Sequence, residues 1–434
     1  MTTSALRAPR LPRLRARSAE AVVFSVAAVF ALAHAVDDAI LLPGAGVPLF
    51  QHGIALAIAL VTTLAAVARF ESMRPGLRAA TAFTFGVLAT LNGGRHAHHI
   101  VSEGVTANDV TGVLALGAGV VLIALAAWIP FRHRGERTAS PFKRWAIRAG
   151  VVAVSPLVAL FVHMPVGMAI IEVHSLHRAV GSPPSAAYEP VHLTTSDGLE
   201  LDAWYHPSRT GAAVLMMSGG SGDIRGTLSH ARMLVRHGYG VLLFSGRGTG
   251  DSGGTPNSYG WGREKDAAAA LDYLATREDV QPGRVGALGL STGADMAIDI
   301  AARRTDVNAV VADGTAAIGY EDLKEYTSSP VTRLNGWLMF KTIEAIQGTS
   351  GPDVSLADQI ARMRAPSLLI AAGEVEKTWG DLYDHAGGER SHLWHLPHAS
   401  HTAALRQYPR EYERRVVEFF DVHLGGRGAV TRAR

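Results

Sequence analysis

The chain has 434 residues, of which 48% are apolar and only 18% charged, and it contains no cysteine. It is too long for one ordinary domain and more apolar than a typical soluble enzyme, so part of it is expected in lipid. A formal net charge of +3 is too small to point to nucleic acid, and the missing cysteine excludes disulfides, thiolate catalysis and Cys-ligated zinc while leaving the compartment open.

The N-terminal part reads as a membrane region. Residues 21–42, 47–68, 77–94, 109–131 and 146–171 are apolar stretches of about 20 residues, the length that spans ~30 Å of hydrocarbon. About five transmembrane helices are expected. A buried bundle in a soluble protein is the competing reading, but successive stretches with hardly any polar face argue against it. Trp128, Phe131 and Trp145 stand where interfacial aromatics belong. Orientation follows from the arginines: "RAPRLPRLRAR", "RFESMRPGLR" and "FRHRGERTASPFKR" are strongly basic, whereas "PGAGV" is uncharged and "RHAHHIVSEGVTAND" holds one arginine. Basic loops stay inside, so five crossings place everything after about residue 172 outside the cytoplasm. The arginine-rich start, the first apolar core and Ala33-His34-Ala35 also resemble a cleavable signal peptide, and cleavage there would leave the side of the C-terminal part unchanged.

Polar groups near such spans are costly and carry a functional hypothesis. On this topology His34, Asp37, Asp38, His52, His96, His98, His99, Asp109 and His174 share one layer near the outer helix ends. His34 with Asp37 or Asp38 lies on one helix face, as a metal or a proton relay would require. Helix ends at a wet interface tolerate the same residues, and without a compact motif such as H-E-x-x-H no metal is assigned. No cofactor is expected.

Residues 181–190, "GSPPSAAYEP", form a linker between a transmembrane domain (1–180) and a second domain (191–425). "VHLTTSDG" and "LELDAWYHP" predict a hairpin turning at Asp197-Gly198. Short apolar runs then alternate with helical stretches near 227–237, 263–277, from about 292, 378–386 and 402–424. That alternation predicts a mostly parallel sheet with helices on both faces. A segment at 314–357 interrupts it.

The hairpin, the Gly-rich turn after the third strand, "GRGTGDSGG" after the fourth, Gly289-Leu290-Ser291-Thr292-Gly293 after the fifth and a late histidine in "HASHT" together resemble the α/β-hydrolase superfamily over residues 188–424. Within it the chain is similar to serine hydrolases of the Bem46-like and dienelactone-hydrolase-like groups. The resemblance implies a nucleophile elbow at Ser291, with small residues two positions either side because the backbone crowds there. A serine hydroxyl needs a base, and the base needs a carboxylate to hold its tautomer. His401 fits the base after the last strand, with His398 as competitor and His392 and His395 inside the strand itself. Glu376 takes the position where similar hydrolases carry aspartate, while Asp381, Asp384 and Asp313 remain alternatives. The oxyanion hole would use the amide of Thr292 and one from Ser218-Gly219-Gly220, with Gly220 as the choice. The Gly-rich runs match neither the P-loop nor the dinucleotide pattern. The inserted segment corresponds to the lid, where Trp337, Leu338, Phe340 and Ile343 would line an acyl pocket or touch a membrane, or simply pack. A short lid favours a small or extended acyl substrate.

The sequence therefore predicts a multi-pass plasma-membrane serine hydrolase, its hydrolase domain outside the cytoplasm, cleaving an ester, thioester or amide of a small or lipid-like acyl substrate; peptidase activity is also allowed. A transport or sensory protein whose hydrolase-like domain only binds a ligand is the alternative.

Overall fold

The computed structural model describes residues 18–37, 49–103, 107–133, 142, 157–174, 179–220 and 222–425. They form two compact units. The first comprises residues up to 37 and from 55 to 142; the second comprises residues 49–54 and those from 157 onward.

The helical unit contains α1 (Ala19–Val36), most of α2 (Leu49–Arg69), α3 (Pro75–Glu103) and α4 (Ala107–Arg132). Ser18 starts α1 by accepting a hydrogen bond from the Ala21 amide at 3.3 Å. Among the described residues, Ala19–Val36 and Asp109–Arg132 are long and apolar enough to cross a membrane. The expected span 77–94 is extended: α3 continues through residues 95–103, where a connection was expected. Asn92-Gly93-Gly94 reads as a stop signal, but Gly93 is a contact point instead. A Cβ there would stand 2.4 Å from the Leu116 amide nitrogen of α4, and one on Gly119 would meet the Thr90 hydroxyl at 2.4 Å. Close approach of the two backbones thus outweighs the weak helix propensity of glycine.

The second unit includes α5 (Met164–Val173), entered through a π-turn at Ala159–His163. This helix is the C-terminal part of the expected fifth span, whose residues 146–156 lie outside those described. The strands are β1 (Glu189–Thr194), β2 (Glu200–His206), β3 (Ala213–Met217), β4 (Gly240–Phe244), β5 (Val285–Leu290), β6 (Ala309–Asp313), β7 (Ser367–Ala372) and β8 (Ser391–Leu396). They form one sheet in the order β1-β2-β4-β3-β5-β6-β7-β8. The hairpin β1–β2 turns at Asp197-Gly198 and β2 runs antiparallel to β4; every other pairing is parallel. Strands β3 to β7 are almost wholly buried, as continuous apolar runs in a doubly covered sheet require.

The helices are α6 (Leu228–Arg236), α7 (Arg263–Ala275), α8 (Thr292–Arg303), α9 (Tyr320–Tyr326), α10 (Pro330–Gln347), α11 (Leu356–Arg362), α12 (Gly373–Gly387), α13 (Ala404–Gln407) and α14 (Pro409–Leu424). Residues of α7, α8, α11 and α12 pack on one face of the sheet. Those of α6 and α14 pack on the other. Two boundaries differ from expectation. Helix α12 begins at Gly373 rather than 378, directly from β7, and Pro409 splits the last helix because it has no amide to continue α13.

Candidate active site

Strand β5 runs straight into α8 through Ser291, whose backbone adopts φ 54°, ψ −129°. A non-glycine residue with positive φ is costly and persists only where its surroundings enforce it. Here they do. The Ser291 amide donates to the Asp313 carbonyl at 2.8 Å. A Cβ on Gly289 would stand 1.9 Å from the Gly293 carbonyl oxygen, and one on Gly293 would stand 2.2 Å from that of Met217. The small residues flanking the serine are thus a packing necessity.

Ser291, His401 and Glu376 come together from three separate connections. His401 Nε2 is 2.9 Å from Ser291 Oγ, and His401 Nδ1 is 2.6 Å from Glu376 Oε1. The early start of α12 sets the glutamate: Glu376 lies in its first turn and its second carboxylate oxygen accepts from the Ala372 amide at 2.8 Å. One oxygen is therefore held by backbone while the other faces the ring. The hydrogen bond to Glu376 raises the His401 pKa above the usual histidine value, opposed by partial burial. His401 remains 53% exposed, which leaves its ring open to solvent, whereas Glu376 is 13% exposed. Thr402, next to the histidine, also has positive φ.

The competing residues stand elsewhere. Asp381 pairs with Lys377 at 2.5 Å on the surface of α12, and Asp384 lies one turn further along that helix. His395 Nε2 lies 3.1 Å from the Gly373 carbonyl oxygen, and His392 and His398 are exposed. Asp313 is closer. Its carboxyl group is buried at the end of β6 beside Tyr412, and burial pushes its pKa up to about 7. The adjoining Gly314 touches the His401 ring, since a Cβ there would be 2.9 Å from Cε1.

The turn after β3 faces Ser291 from the other side. Gly219 makes the close approach: a Cβ on it would be 2.5 Å from that of Ser291. Gly220 has φ 53°, and its carbonyl accepts from Arg263 at 2.7 Å. Arg263, wholly buried at the start of α7, is a loop anchor that motif reading did not single out. Thr292 opens α8, and its hydroxyl donates to the Ser258 carbonyl at 2.6 Å. In "GRGTGDSGG", Arg247 forms an ion pair with Asp266 at 2.6 Å and with Asp197 at 3.1 Å, so the stretch ties the hairpin to α7. The residues expected in a lid divide: Phe340 and Ile343 are buried against Trp261 and Val173, while Trp337 is exposed.

The polar layer expected in the N-terminal part is present in pieces. His34 Nδ1 lies 3.1 Å from Thr111 Oγ1, which donates to Asp37 at 2.5 Å, and His96 Nδ1 lies 3.1 Å from Asp109. Among the described residues no group of three or more His, Asp or Glu side chains is arranged to hold a metal. His174 belongs to the second unit. Asp38 and the side chains of His52, His98 and His99 lie outside the described residues.

An eight-stranded sheet of this order, with a strained serine turn after β5, is the architecture of an α/β-hydrolase-superfamily hydrolase. Residues 186–423 match the family model described as X-Pro dipeptidyl-peptidase (S15 family). The chain belongs to that family. It is 31% identical over 214 residues to the uncharacterized protein Rv2307c of Mycobacterium tuberculosis (strain ATCC 25618 / H37Rv), covering 46% of this chain and 74% of that protein. It is 32% identical over 228 residues to the alpha/beta hydrolase domain-containing protein WAV2 of Arabidopsis thaliana, covering 48% of this chain and 73% of that one. Among solved structures it is similar to the Pyrococcus furiosus esterase Pf2001, at 22% identity and a TM-score of 0.46 over 58% of this chain and 97% of that chain.

Proposed function

We propose that the chain is a multi-pass plasma-membrane serine hydrolase that cleaves an ester, thioester or amide through an acyl-enzyme on Ser291. The observation that carries this reading is the continuous contact from Ser291 Oγ through His401 to Glu376, at 2.9 and 2.6 Å. In the first step Nε2 of neutral His401 takes the hydroxyl proton as Oγ bonds to the substrate carbonyl carbon. Glu376, accepting from Nδ1, holds the productive tautomer and stabilises the imidazolium. The amide of Thr292 and one from the Ser218-Gly219-Gly220 turn receive the oxyanion. The imidazolium then gives its proton to the leaving group, and water repeats the sequence on the acyl-enzyme. Membership in a family described as dipeptidyl-peptidase supports an amide among the substrates, while the "GRGTGDSGG" turn supports the likeness to Bem46-like and dienelactone-hydrolase-like serine hydrolases.

The membrane part of the reading, with about five spans, rests on the helical unit's outward apolar side chains and on the charge asymmetry of its loops. On that asymmetry the hydrolase domain is extracytoplasmic. A fluorophosphonate probe tests the chemistry: labelling of the full chain that is lost in Ser291→Ala supports the enzyme, and an inert intact protein favours a ligand-binding domain. Protease added to intact spheroplasts tests the side. The segment beyond about residue 181 is shaved if it is outside, and full protection would place it in the cytoplasm.

A further inference from the structure

Helix α5 and the lid helix α10 lie side by side in the hydrolase unit. Asn335 of α10 donates to the Leu160 carbonyl in the turn before α5, and Phe340 and Ile343 pack against Ala169 and Val173. The outward side of the pair is apolar as far as Trp337, one turn before the exposed Lys341 that pairs with Glu344. Leu157, Val162 and Met164 on one element and Val331, Leu334 and Trp337 on the other are each 41–54% exposed. Residues 157–171 contain no acidic residue, lysine or arginine. The one arginine along this part of α10, Arg333, turns away to donate to the carbonyls of Thr327 and Lys324, both at 2.7 Å. Solvent-facing helices normally place charge on such a side.

The chain on either side of this face says what covers it. Upstream, residues 146–156 continue the same apolar run back to the basic segment "FRHRGERTASPFKR", so that 146–171 has the length of a membrane crossing. Downstream, α5 is joined to the serine turn by two hydrogen bonds. The Ser258 amide donates to the Glu172 carbonyl at 2.8 Å, and the Thr292 hydroxyl donates to the Ser258 carbonyl at 2.6 Å. A tryptophan among aliphatic side chains, as at 337, suits the boundary between hydrocarbon and headgroups.

We propose that the paired face of α5 and α10 is bedded in the bilayer, so that the lid of the active site is a membrane-contacting element that admits acyl esters from the lipid phase. The substrate part rests on the serine-hydrolase reading above; the contact does not. Because the chain has no cysteine, Leu334→Cys and, on the exposed side of α14, Glu418→Cys each carry a single thiol for an environment-sensitive fluorophore. In full-length protein reconstituted in phosphatidylcholine vesicles with doxyl-labelled acyl chains, the probe at 334 is expected to be blue-shifted and quenched at least threefold more than the probe at 418. Equal, water-like emission at the two sites would overturn the proposal. Leu334→Glu is expected to lower hydrolysis of a fluorogenic long-chain ester embedded in those vesicles at least tenfold while changing p-nitrophenyl acetate hydrolysis less than twofold. Equal loss on both substrates would also overturn it. If p-nitrophenyl acetate hydrolysis survives in Ser291→Ala, the serine-hydrolase reading fails while the quenching result stands.

Discussion

In the helical unit Ala21, Ala27, Ala28, Ala82 and Ala118 are buried, while Val26, Val29, Val61, Leu64 and Val120 are each more than half exposed. Its core also holds Phe24, Phe70, Leu122 and Ile129, but the hydrolase unit differs in keeping most of its large aliphatic side chains, such as Leu215, Leu242, Ile298 and Val310, inside. The difference bears on the proposed membrane placement of the helical unit. In water, burying large apolar side chains is the main driving force. In lipid that force between helices is absent and small residues that let backbones approach take its place; the close approach of Gly93 to α4 fits the proposed placement. The polar groups follow the same division. Glu20, at one end of the helical unit, is buried but satisfied by Arg78 at 3.2 Å and His133 at 2.8 Å, whereas in the hydrolase unit a histidine and a glutamate converge on one serine.

The largest effect is expected where the hydrolase unit departs from a pure packing design. Ser291→Ala and His401→Ala should each lower kcat for p-nitrophenyl esters roughly 10⁴-fold or more, with circular dichroism unchanged, because neither side chain fills the core. Near-normal turnover in both would dissolve the functional contrast between the units. Next, Glu376→Gln should cost roughly 10²–10⁴-fold in kcat, against less than about twofold for Asp381→Asn, whose carboxylate serves only a surface lysine. A reversed ranking would move the acid along α12.

The packing contrast is tested by paired substitutions read out by thermal unfolding in detergent. Leu215→Ala, in the fully buried centre of the sheet, should destabilise the hydrolase unit by ~2–5 kcal/mol. Gly93→Leu should destabilise the helical unit by ~1–3 kcal/mol through overpacking, with fluorophosphonate labelling retained. If Gly93→Leu is neutral, the small-residue seam does not hold α3 to α4. The smallest effect concerns pH. The base must be neutral to accept the Ser291 proton, and the contact with Glu376 raises its pKa. Activity should therefore be lost on the acid side with an inflection above the ordinary histidine value of ~6.5. In Glu376→Gln, measured on the residual activity, that inflection should move down toward it.

Much of the hydrolase unit was legible in one dimension, because its signals are local. Turn chemistry at Asp197-Gly198 placed the hairpin, and strand-length apolar runs between helical stretches implied a parallel, doubly covered sheet. The glycines around Ser291 marked the elbow, although only the crowding at Gly289, against the Gly293 carbonyl, is local; that at Gly293 comes from Met217 of β3. The fifth apolar stretch, 146–171, was recognisable as helical, but the pairing of its described part with α10 was not, because Asn335 and the Leu160 carbonyl are 175 residues apart. Likewise, Asn92-Gly93-Gly94 carries the composition of a loop, and only the backbone of α4 lying against Gly93 explains why the helix runs on. Tertiary structure also separated Glu376 from Asp381, Asp384 and Asp313. All four carry the same functional group, and what distinguishes them is reach: α12 starts at Gly373, the Ala372 amide pins one oxygen of Glu376, and the other is left 2.6 Å from His401. Residue types and their short spacings determined the class of chemistry and the order of the elements. Which carboxylate meets the histidine, which glycine presses on the serine and which helix packs beside α10 depended on distances between segments far apart in the chain, and those are set only when the core packs.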